Sequence, residues 1–200
     1  TGRPGPVVID VPKDVQQREI VPEFPVTINL RGYHPHLRAS PAEIQKVADA
    51  IREAERPVIY GGGGVSIANA SAALKTFAEK TRIPVAMTLM GLGILPADHF
   101  LALGMLGMHG TVYANQALGE ADLVLAFGVR FDDRVTGKLD EFVRHAKVVH
   151  VDIDPSEINK NKRVQIPIAS DVGFVIKELN RIVQPGDYTA WHRQIATWRE

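Results

Sequence analysis

Short apolar runs without polar alternation recur along the chain, and segments with helical spacing separate them. The clearest run is Leu123-Val124-Leu125-Ala126-Phe127. The predicted strands occupy residues 57–60, 84–87, 123–127 and 148–151, with a short edge strand at 164–168. Such uninterrupted runs are typical of parallel strands that are buried on both faces. The pattern predicts an α/β fold: a doubly wound, mostly parallel, Rossmann-like sheet with helices on both faces.

Helix signals lie between the apolar runs. Ser40-Pro41-Ala42-Glu43 matches a capping box with proline at the first helical position, and apolar residues follow it at helical spacing. Asp171 is a second predicted cap, with Val172, Val175, Ile176 and Leu179 on the inward face. Three further helices are predicted. One carries Ala70, Leu74, Phe77 and Ala78 on one face, and the other two cover roughly residues 111–120 and residues 188–199. The strand at 84–87 leads into a glycine-rich segment, residues 91–110, in which no strand is named.

Proline-rich stretches divide the chain into four parts. Val7 to Pro12 has the pattern of a buried strand, and we expect residues 1–12 to be the end of a preceding domain. Residues 13–39 contain several prolines and no helical period, which predicts a linker. Residues 40–184 form the predicted central domain, and 185–200 begin the connection to a following domain.

Composition narrows the classes of function. Lys+Arg and Asp+Glu are 23 each, so the formal net charge is zero, and there is no cysteine. Balanced charge argues against nucleic acid or an acidic membrane as a partner. The absence of cysteine excludes disulfide scaffolds, thiolate zinc sites and cysteine nucleophiles, and it fits a cytoplasmic location.

Chemistry-bearing residues follow the predicted strands, where ligands of such sheets bind. Gly61 to Gly64 is a glycine-rich turn of the kind that lets a backbone approach a pyrophosphate. The dinucleotide fingerprint is imperfect, because its third glycine position holds Ile67 and no acidic residue ends the next strand. Thr88 is a weaker candidate, since its hydroxyl is typical of turns. His109, flanked by glycine-rich sequence, is more simply explained as a structural histidine.

Two later strand ends carry charge. Arg130 and Arg134 flank Asp132 just past the clearest strand, and arginine can hold phosphate bidentately; a surface salt-bridge loop is the alternative. Asp152 is a candidate for ribose hydroxyls, whereas Asp154 is placed to cap the turn that follows. Together these strand ends predict a dinucleotide lying across the sheet in a pose unlike that of NAD.

Three runs in this sequence together resemble the catalytic subunit of the acetohydroxyacid synthase (acetolactate synthase) family. They are Gly2-Arg3-Pro4-Gly5-Pro6-Val7 with Asp10-Val11-Pro12-Lys13-Asp14, then Leu106-Gly107-Met108-His109-Gly110, then Arg130-Phe131-Asp132-Asp133-Arg134-Val135-Thr136-Gly137. They occur in the family's order, and the resemblance covers the whole chain. It implies that residues 1–12 end a pyrimidine-binding domain and that the connection after 184 leads to a diphosphate-binding domain.

The resemblance implies a thiamine diphosphate- and Mg²⁺-dependent enzyme of branched-chain amino-acid biosynthesis. Such an enzyme decarboxylates pyruvate and condenses the product with a second 2-keto acid. Its central domain binds FAD, a flavin with no net redox role in the reaction. The implied FAD contacts are Arg3, Gly62, Gly63, Gly64, Thr88, Leu89, Leu106, Gly107, Met108, His109, Gly128, Arg130, Asp132, Arg134, Val135, Asp152, Ile153 and Asp171. The residues implied to border the substrate channel are Lys13, Met108, Asp133 and Arg134.

The match has departures. Asp152 stands where relatives often have Glu, and Ser170-Asp171-Val172 replaces a usual Gly-Asp-Ala. The family's Mg²⁺-diphosphate motif, Gly-Asp-Gly followed at a distance by Asn, does not occur in the chain. We therefore expect no catalytic residue and no metal ligand here, and no activity from this chain alone.

The resemblance also implies partners: a homo-oligomer of the full-length enzyme, dimer or tetramer, and a regulatory small subunit. Two alternatives stay open. One is the central domain of another thiamine diphosphate enzyme, such as glyoxylate carboligase or a 2-keto acid decarboxylase. The other is a non-catalytic scaffold domain with an empty pocket.

Overall fold

A sheet of six parallel strands lies within the described part of the chain, which in this computed structural model is residues 2–27, 31 and 38–200. The strands are β1 (Pro57–Gly61), β2 (Val85–Met87), β3 (Ala102–Met105), β4 (Leu123–Phe127), β5 (Lys147–Asp152) and β6 (Ile166–Ala169). Their order is β3-β2-β1-β4-β5-β6. The order reverses between β1 and β4, as in doubly wound dinucleotide-binding sheets. The predicted fold class is confirmed.

Helices connect and cover the strands. They are α1 (Lys13–Gln16), α2 (Pro41–Glu53), α3 (Gly63–Ile67), α4 (Ser71–Thr81), α5 (Val112–Glu120), α6 (Asp133–Thr136), α7 (Val172–Ile182) and α8 (Thr189–Arg199). A 3₁₀ helix, Leu89–Gly91, follows β2. Helix α7 packs against α2 and α4, and α8 packs against α5. The helices therefore form two packed groups.

The central strands are buried along their whole length. Every residue of β1 and of β4 is buried, and the two strands pair in register from Pro57 opposite Leu123 to Gly61 opposite Phe127. Strands covered on both faces need apolar side chains at successive positions. This requirement explains the uninterrupted apolar run that predicted β4.

Two helix starts match their predicted caps. Ser40 accepts a hydrogen bond from the Glu43 N–H at 3.3 Å, and the Glu43 carboxylate accepts one from the Ser40 N–H at 2.7 Å. Asp171 accepts from the Phe174 N–H at 2.7 Å. Each cap pairs a helix N–H that would otherwise lack a partner, a contribution of typically about 1 kcal/mol. The residues predicted to face inward on α2 and α7 are buried.

The glycine-rich segment 91–110 contains a strand, β3, which the sequence pattern did not identify. Gly104, inside β3, has φ +76°, and the pairing with β2 shifts register between Val85 and Ala86. A short edge strand with a left-handed glycine lacks both the length and the apolar continuity that identified the other strands. Leu101, just before β3, and Ala102 and Leu103, inside it, are nevertheless buried.

Residues 1–35 form a unit separate from residues 36–200. The buried strand predicted at 7–12 is not present: Val7, Val8 and Ile9 are 84%, 91% and 80% exposed. A strand needs a paired neighbour for its backbone groups, and none is assigned beside this segment in the described residues. Of the predicted linker, residues 28–30 and 32–37 lie outside the described part.

Helix α8, the last helix of the described residues, packs against the central domain. Trp191 is 2% exposed, and its indole N–H donates to the Pro57 carbonyl at 3.2 Å. Its ring meets Trp198 edge-on, with centroids 5.7 Å apart. No helix in the described ranges has the length and apolar character to cross a membrane.

We predict that Trp191→Ala lowers the free energy of unfolding by about 3–5 kcal/mol, the usual cost of emptying a large aromatic site in a core. The matched control is Trp198→Ala, which removes the same side chain from a half-buried position. Urea denaturation followed by circular dichroism measures both. Equal losses in the two variants would contradict the anchoring role of Trp191.

Candidate functional site

The predicted ligand residues of the central domain lie on one side of the sheet, where the strands end. We call this side the carboxyl edge; it consists of Gly62–Gly64, Thr88–Gly91, Leu106–Gly110, Gly128–Arg134, Asp152–Asp154 and Ser170–Asp171. Parallel strands bring all their carboxyl ends to the same side, so residues far apart in sequence meet there.

The turns after β1 and β4 are in direct backbone contact at the point where the strand order reverses. The Gly62 N–H donates to the Phe127 carbonyl at 3.0 Å, and the Gly64 N–H donates to the Gly128 carbonyl at 3.1 Å. A Cβ on Gly64 would lie 2.6 Å from the Gly128 Cα. The glycine run therefore approaches another turn of the protein closely, and two of its N–H groups already donate within the fold.

The segment after β2 is a capped turn with an apolar surface. The Thr88 hydroxyl accepts from the Gly91 N–H at 3.0 Å, the turn chemistry that sequence considerations favoured. A Cβ on Gly63 would lie 3.1 Å from the Met90 Cβ, so this glycine also faces protein. Leu89 and Met90 are 68% and 76% exposed. This part of the carboxyl edge offers apolar surface rather than charge.

The segment after β3 is held to its neighbours through the backbone. Gly107 has φ +102°, which favours glycine. The Asn115 side chain pairs with both backbone groups of Gly107: it accepts from the N–H and donates to the carbonyl, each at 3.1 Å. The Met108 N–H donates to the Arg134 carbonyl at 3.1 Å. Met108 is 68% exposed, so its side chain adds to the apolar surface of the carboxyl edge.

The loop after β4 carries the charges. Arg130 and Asp132 are 58% and 40% exposed at the side chain and 3.8 Å apart, a distance and exposure at which an ion pair contributes little. Asp132 also caps α6 by accepting from the Arg134 N–H at 3.1 Å. That backbone hydrogen bond lowers the pKa of Asp132. The carboxylate thus has a structural role, and the Arg130 guanidinium is exposed and only weakly paired.

A buried carboxylate ends β5. Asp152 is 8% exposed, and its Oδ1 accepts from the Asp154 N–H at 2.9 Å. Its Oδ2 lies 4.0 Å from Nε2 of His150. Burial raises the pKa of Asp152 and lowers the pKa of His150. Asp152 therefore has an acceptor oxygen that a hydroxyl donor would stabilise, whereas Asp154 caps the following turn by accepting from Ser156.

The structure places the remaining predicted residues as follows. Leu106 is buried and its N–H pairs with the Met87 carbonyl, while His109 is exposed. Val135 packs beside Gly107, and Asp133 opens α6 next to Arg134. Ile153 is half-buried. Arg3 and Lys13 belong to residues 1–35, so their relation to the carboxyl edge stays a prediction.

Several residues that shape the carboxyl edge gave no signal in the sequence. Asn161 donates to the Phe131 carbonyl at 2.8 Å, and Nε2 of His150 pairs with the Val129 carbonyl at 2.9 Å. Asn115 is the third such residue. Each bonds a backbone carbonyl 8 to 30 positions away in sequence, and no residue type or spacing reveals such a contact.

The model of a known protein family, "Thiamine pyrophosphate enzyme, central domain", matches residues 44–179. The match spans every strand of the sheet and the residues of the carboxyl edge. The chain belongs to this family. Membership confirms the predicted relationship to thiamine-dependent enzymes and accounts for a Rossmann-like sheet.

Similar proteins within this family are named acetolactate synthases. Acetolactate synthase 1, chloroplastic, of Oryza sativa subsp. japonica is 49% identical over 98% of this chain and 31% of its own length. The probable acetolactate synthase large subunit of Methanocaldococcus jannaschii is 53% identical over 90% of this chain and 31% of its own length. The chain thus spans about a third of the length of these relatives.

We predict that Gly64→Ala destabilises the domain by about 1–3 kcal/mol, the usual cost of overpacking a tight contact. The added Cβ would press on Gly128, and backbone cannot rotate away as a side chain can. Gly119→Ala is the control, because this helical glycine of α5 has open space around the added atom. That change should stabilise the helix by about 0.5–1 kcal/mol. Urea denaturation gives both values, and a neutral Gly64→Ala would contradict the close contact.

We predict that Asp152→Asn removes a pH dependence from stability. Burial raises the folded-state pKa of Asp152 above the ordinary 3.8, so the folded protein binds this proton more tightly than the unfolded chain does. The stabilisation is complete below pH 3.8 and is lost as the pH rises through the raised pKa. The unfolding free energy of Asp152→Asn relative to wild type should therefore increase over that range.

Urea denaturation at a series of pH values measures this difference. The control is Asp98→Asn, which removes a carboxylate from an exposed position. A difference for Asp152→Asn that decreases with rising pH would show that hydrogen bonding to the ionised form outweighs burial.

Proposed function

We propose that the carboxyl edge of this domain binds FAD and that the domain belongs to an acetolactate synthase. The main support is the 49% identity to an acetolactate synthase over 98% of the chain. The resemblance implies no net redox change at the flavin, so a bound flavin would contribute binding energy and order. Three features of the carboxyl edge fit such a ligand.

Asp152 fits the adenosine end. It lies at the end of β5, the strand next to β4, and its Oδ2, 4.0 Å from Nε2 of His150, can accept from a ribose hydroxyl. A buried carboxylate with a raised pKa gains stability when a hydroxyl donates to its charged form. Ile153 and Asp171 are proposed as its neighbours at this end.

Arg130 fits the pyrophosphate. The Gly62 and Gly64 N–H groups already donate within the protein, so a pyrophosphate needs other donors, among them side chains. The Arg130 guanidinium is 58% exposed and only weakly paired with Asp132. Arginine holds phosphate oxygens through two parallel hydrogen bonds. Arg130 is therefore the proposed principal phosphate ligand, with Arg134 in support.

Leu89 and Met108 fit a flat, largely apolar ring. Both are 68% exposed, and they follow the neighbouring strands β2 and β3. Covering exposed apolar side chains with a ligand favours binding by about 25 cal/mol of free energy per Å² of apolar surface removed from water. A ligand ending in ADP would leave this surface in water, which favours a flavin over ADP.

The activity of the whole enzyme extends this proposal. We propose condensation of pyruvate with a second 2-keto acid, with thiamine diphosphate and Mg²⁺ held by other parts of the enzyme. A homo-oligomer, a regulatory small subunit and a cytoplasmic location belong to the same proposal. The central domain of glyoxylate carboligase or of a 2-keto acid decarboxylase is the alternative, as is a scaffold without ligand.

We predict that Arg130→Gln weakens FAD binding about ten- to hundredfold, since a hydrogen bond to a charged group contributes about 1.5–3 kcal/mol. Titration of the chain with FAD, followed by flavin fluorescence, gives the dissociation constant. ADP should compete with FAD, because both would share the Asp152 end.

The matched control is Arg52→Gln on α2, which removes an exposed guanidinium paired with Asp49 at 2.8 Å. It should leave the FAD affinity unchanged. Equal effects of Arg130→Gln and Arg52→Gln would favour the scaffold alternative, in which the charged loop is only a surface.

A further inference from the structure

A row of three residues crosses the sheet beneath the charged loop. Tyr60 on β1 pairs in register with Ala126 on β4, which pairs in register with His150 on β5. Side chains at matching positions of parallel strands point to the same face. All three are fully buried. The row is therefore two large rings separated by one methyl group.

Phe131 packs against both rings of this row. Its centroid lies 6.3 Å from Tyr60 and 5.0 Å from His150, and the His150 ring meets it edge-on at 68°. The Phe142 ring meets the Phe131 ring edge-on, with centroids 6.0 Å apart. Phe131 is 3% exposed. Its ring thus packs beside the rings at both ends of the row.

The loop backbone is tied on both sides of Arg130. Nε2 of His150 donates to the Val129 carbonyl at 2.9 Å, since a carbonyl oxygen only accepts, and burial lowers the pKa of His150. Asn161 donates to the Phe131 carbonyl at 2.8 Å. Val129 is 2% exposed. Two anchored, buried residues therefore flank one exposed arginine.

We infer that His150, Phe131 and Asn161 are positioning residues that hold Arg130 toward the ligand side of the carboxyl edge. The inference rests on the proposed function, in which Arg130 binds the FAD pyrophosphate. Arg130 has only a weak ion pair of its own, at 3.8 Å from Asp132. Fixing the backbone before binding reduces the ordering cost of a long side chain, which is the physical gain from such anchors.

Asn161→Ala is the first test, because Asn161 is exposed and its loss leaves the core intact. We expect FAD binding to weaken about tenfold. Asn180→Ala is the matched control: its side-chain amide also donates to a backbone carbonyl, that of Ala73 at 3.0 Å, but on α7. Phe131→Leu and Phe77→Leu form a second pair, each shortening a buried phenylalanine. Flavin fluorescence titration of the full chain measures all four.

A double-mutant cycle separates positioning from general destabilisation. If Asn161 acts through Arg130, then Asn161→Ala should weaken FAD binding much less in the Arg130→Gln background than in wild type. Equal effects in both backgrounds would overturn the inference, and so would losses no larger than those of Asn180→Ala and Phe77→Leu. A larger coupling of Asn161→Ala to Arg130→Gln than of the control variants to Arg130→Gln supports the inference.

Failure of the proposed function can be distinguished from failure of this inference. Absence of FAD binding by the wild-type chain, or a neutral Arg130→Gln, would reject FAD as the ligand of Arg130. Amide hydrogen exchange at residues 130–132 then tests the anchoring without any ligand. Faster exchange in Asn161→Ala but not in Asn180→Ala supports an anchored loop, and unchanged exchange overturns it.

Discussion

The backbone contact between Gly64 and Gly128 is the constraint on which the carboxyl edge depends. β1 and β4 are neighbours, yet the chain leaves them in opposite directions along the sheet, so the turns that follow them must pass each other. Glycine at both positions lets these turns touch, and Gly128 adopts φ +59° to do so. The β4 loop therefore starts close to the sheet. Val129 is buried at once, and Arg130 is the first residue of that loop to reach solvent.

The two carboxylates of the carboxyl edge differ because their surroundings differ. Asp132 lies on the exposed loop and accepts a helix N–H, which lowers its pKa; Asp152 lies at the buried end of a strand, which raises its pKa. The Asp132 carboxylate caps helix α6, whereas the Asp152 carboxylate retains an acceptor oxygen. The chain has no net charge, yet its carboxyl edge carries a cation on the loop after β4 and a hydroxyl acceptor at the end of β5.

Sequence patterns predicted the features that depend on nearest neighbours along the chain. The β4 strand, the Ser40 capping box and the Asp171 cap each follow from a few consecutive residues, and each is present. β3 escaped prediction because its four residues include a glycine with positive φ. The apolar pattern at 7–12 predicted burial that the structure does not show, since apolar residues alone do not supply a pairing strand. The anchors His150 and Asn161 depend on register and on a long loop, so no local pattern could identify them.

Most polar groups of the carboxyl edge already have structural partners, and this limits what can select a ligand. The Gly62 and Gly64 N–H groups, the Thr88 hydroxyl and the carboxylate of Asp171 all pair within the protein. Among the groups left to meet a ligand are Arg130, Arg134, Asp152 and the apolar side chains of Leu89 and Met108. Under the proposed function, Arg130 and Asp152 would serve any ligand that contains adenosine diphosphate, and only the apolar pair distinguishes a flavin from ADP itself. Proteins with this sheet can therefore change or lose their ligand through side-chain substitutions at the strand ends, while the contact between the two glycine turns preserves the backbone there.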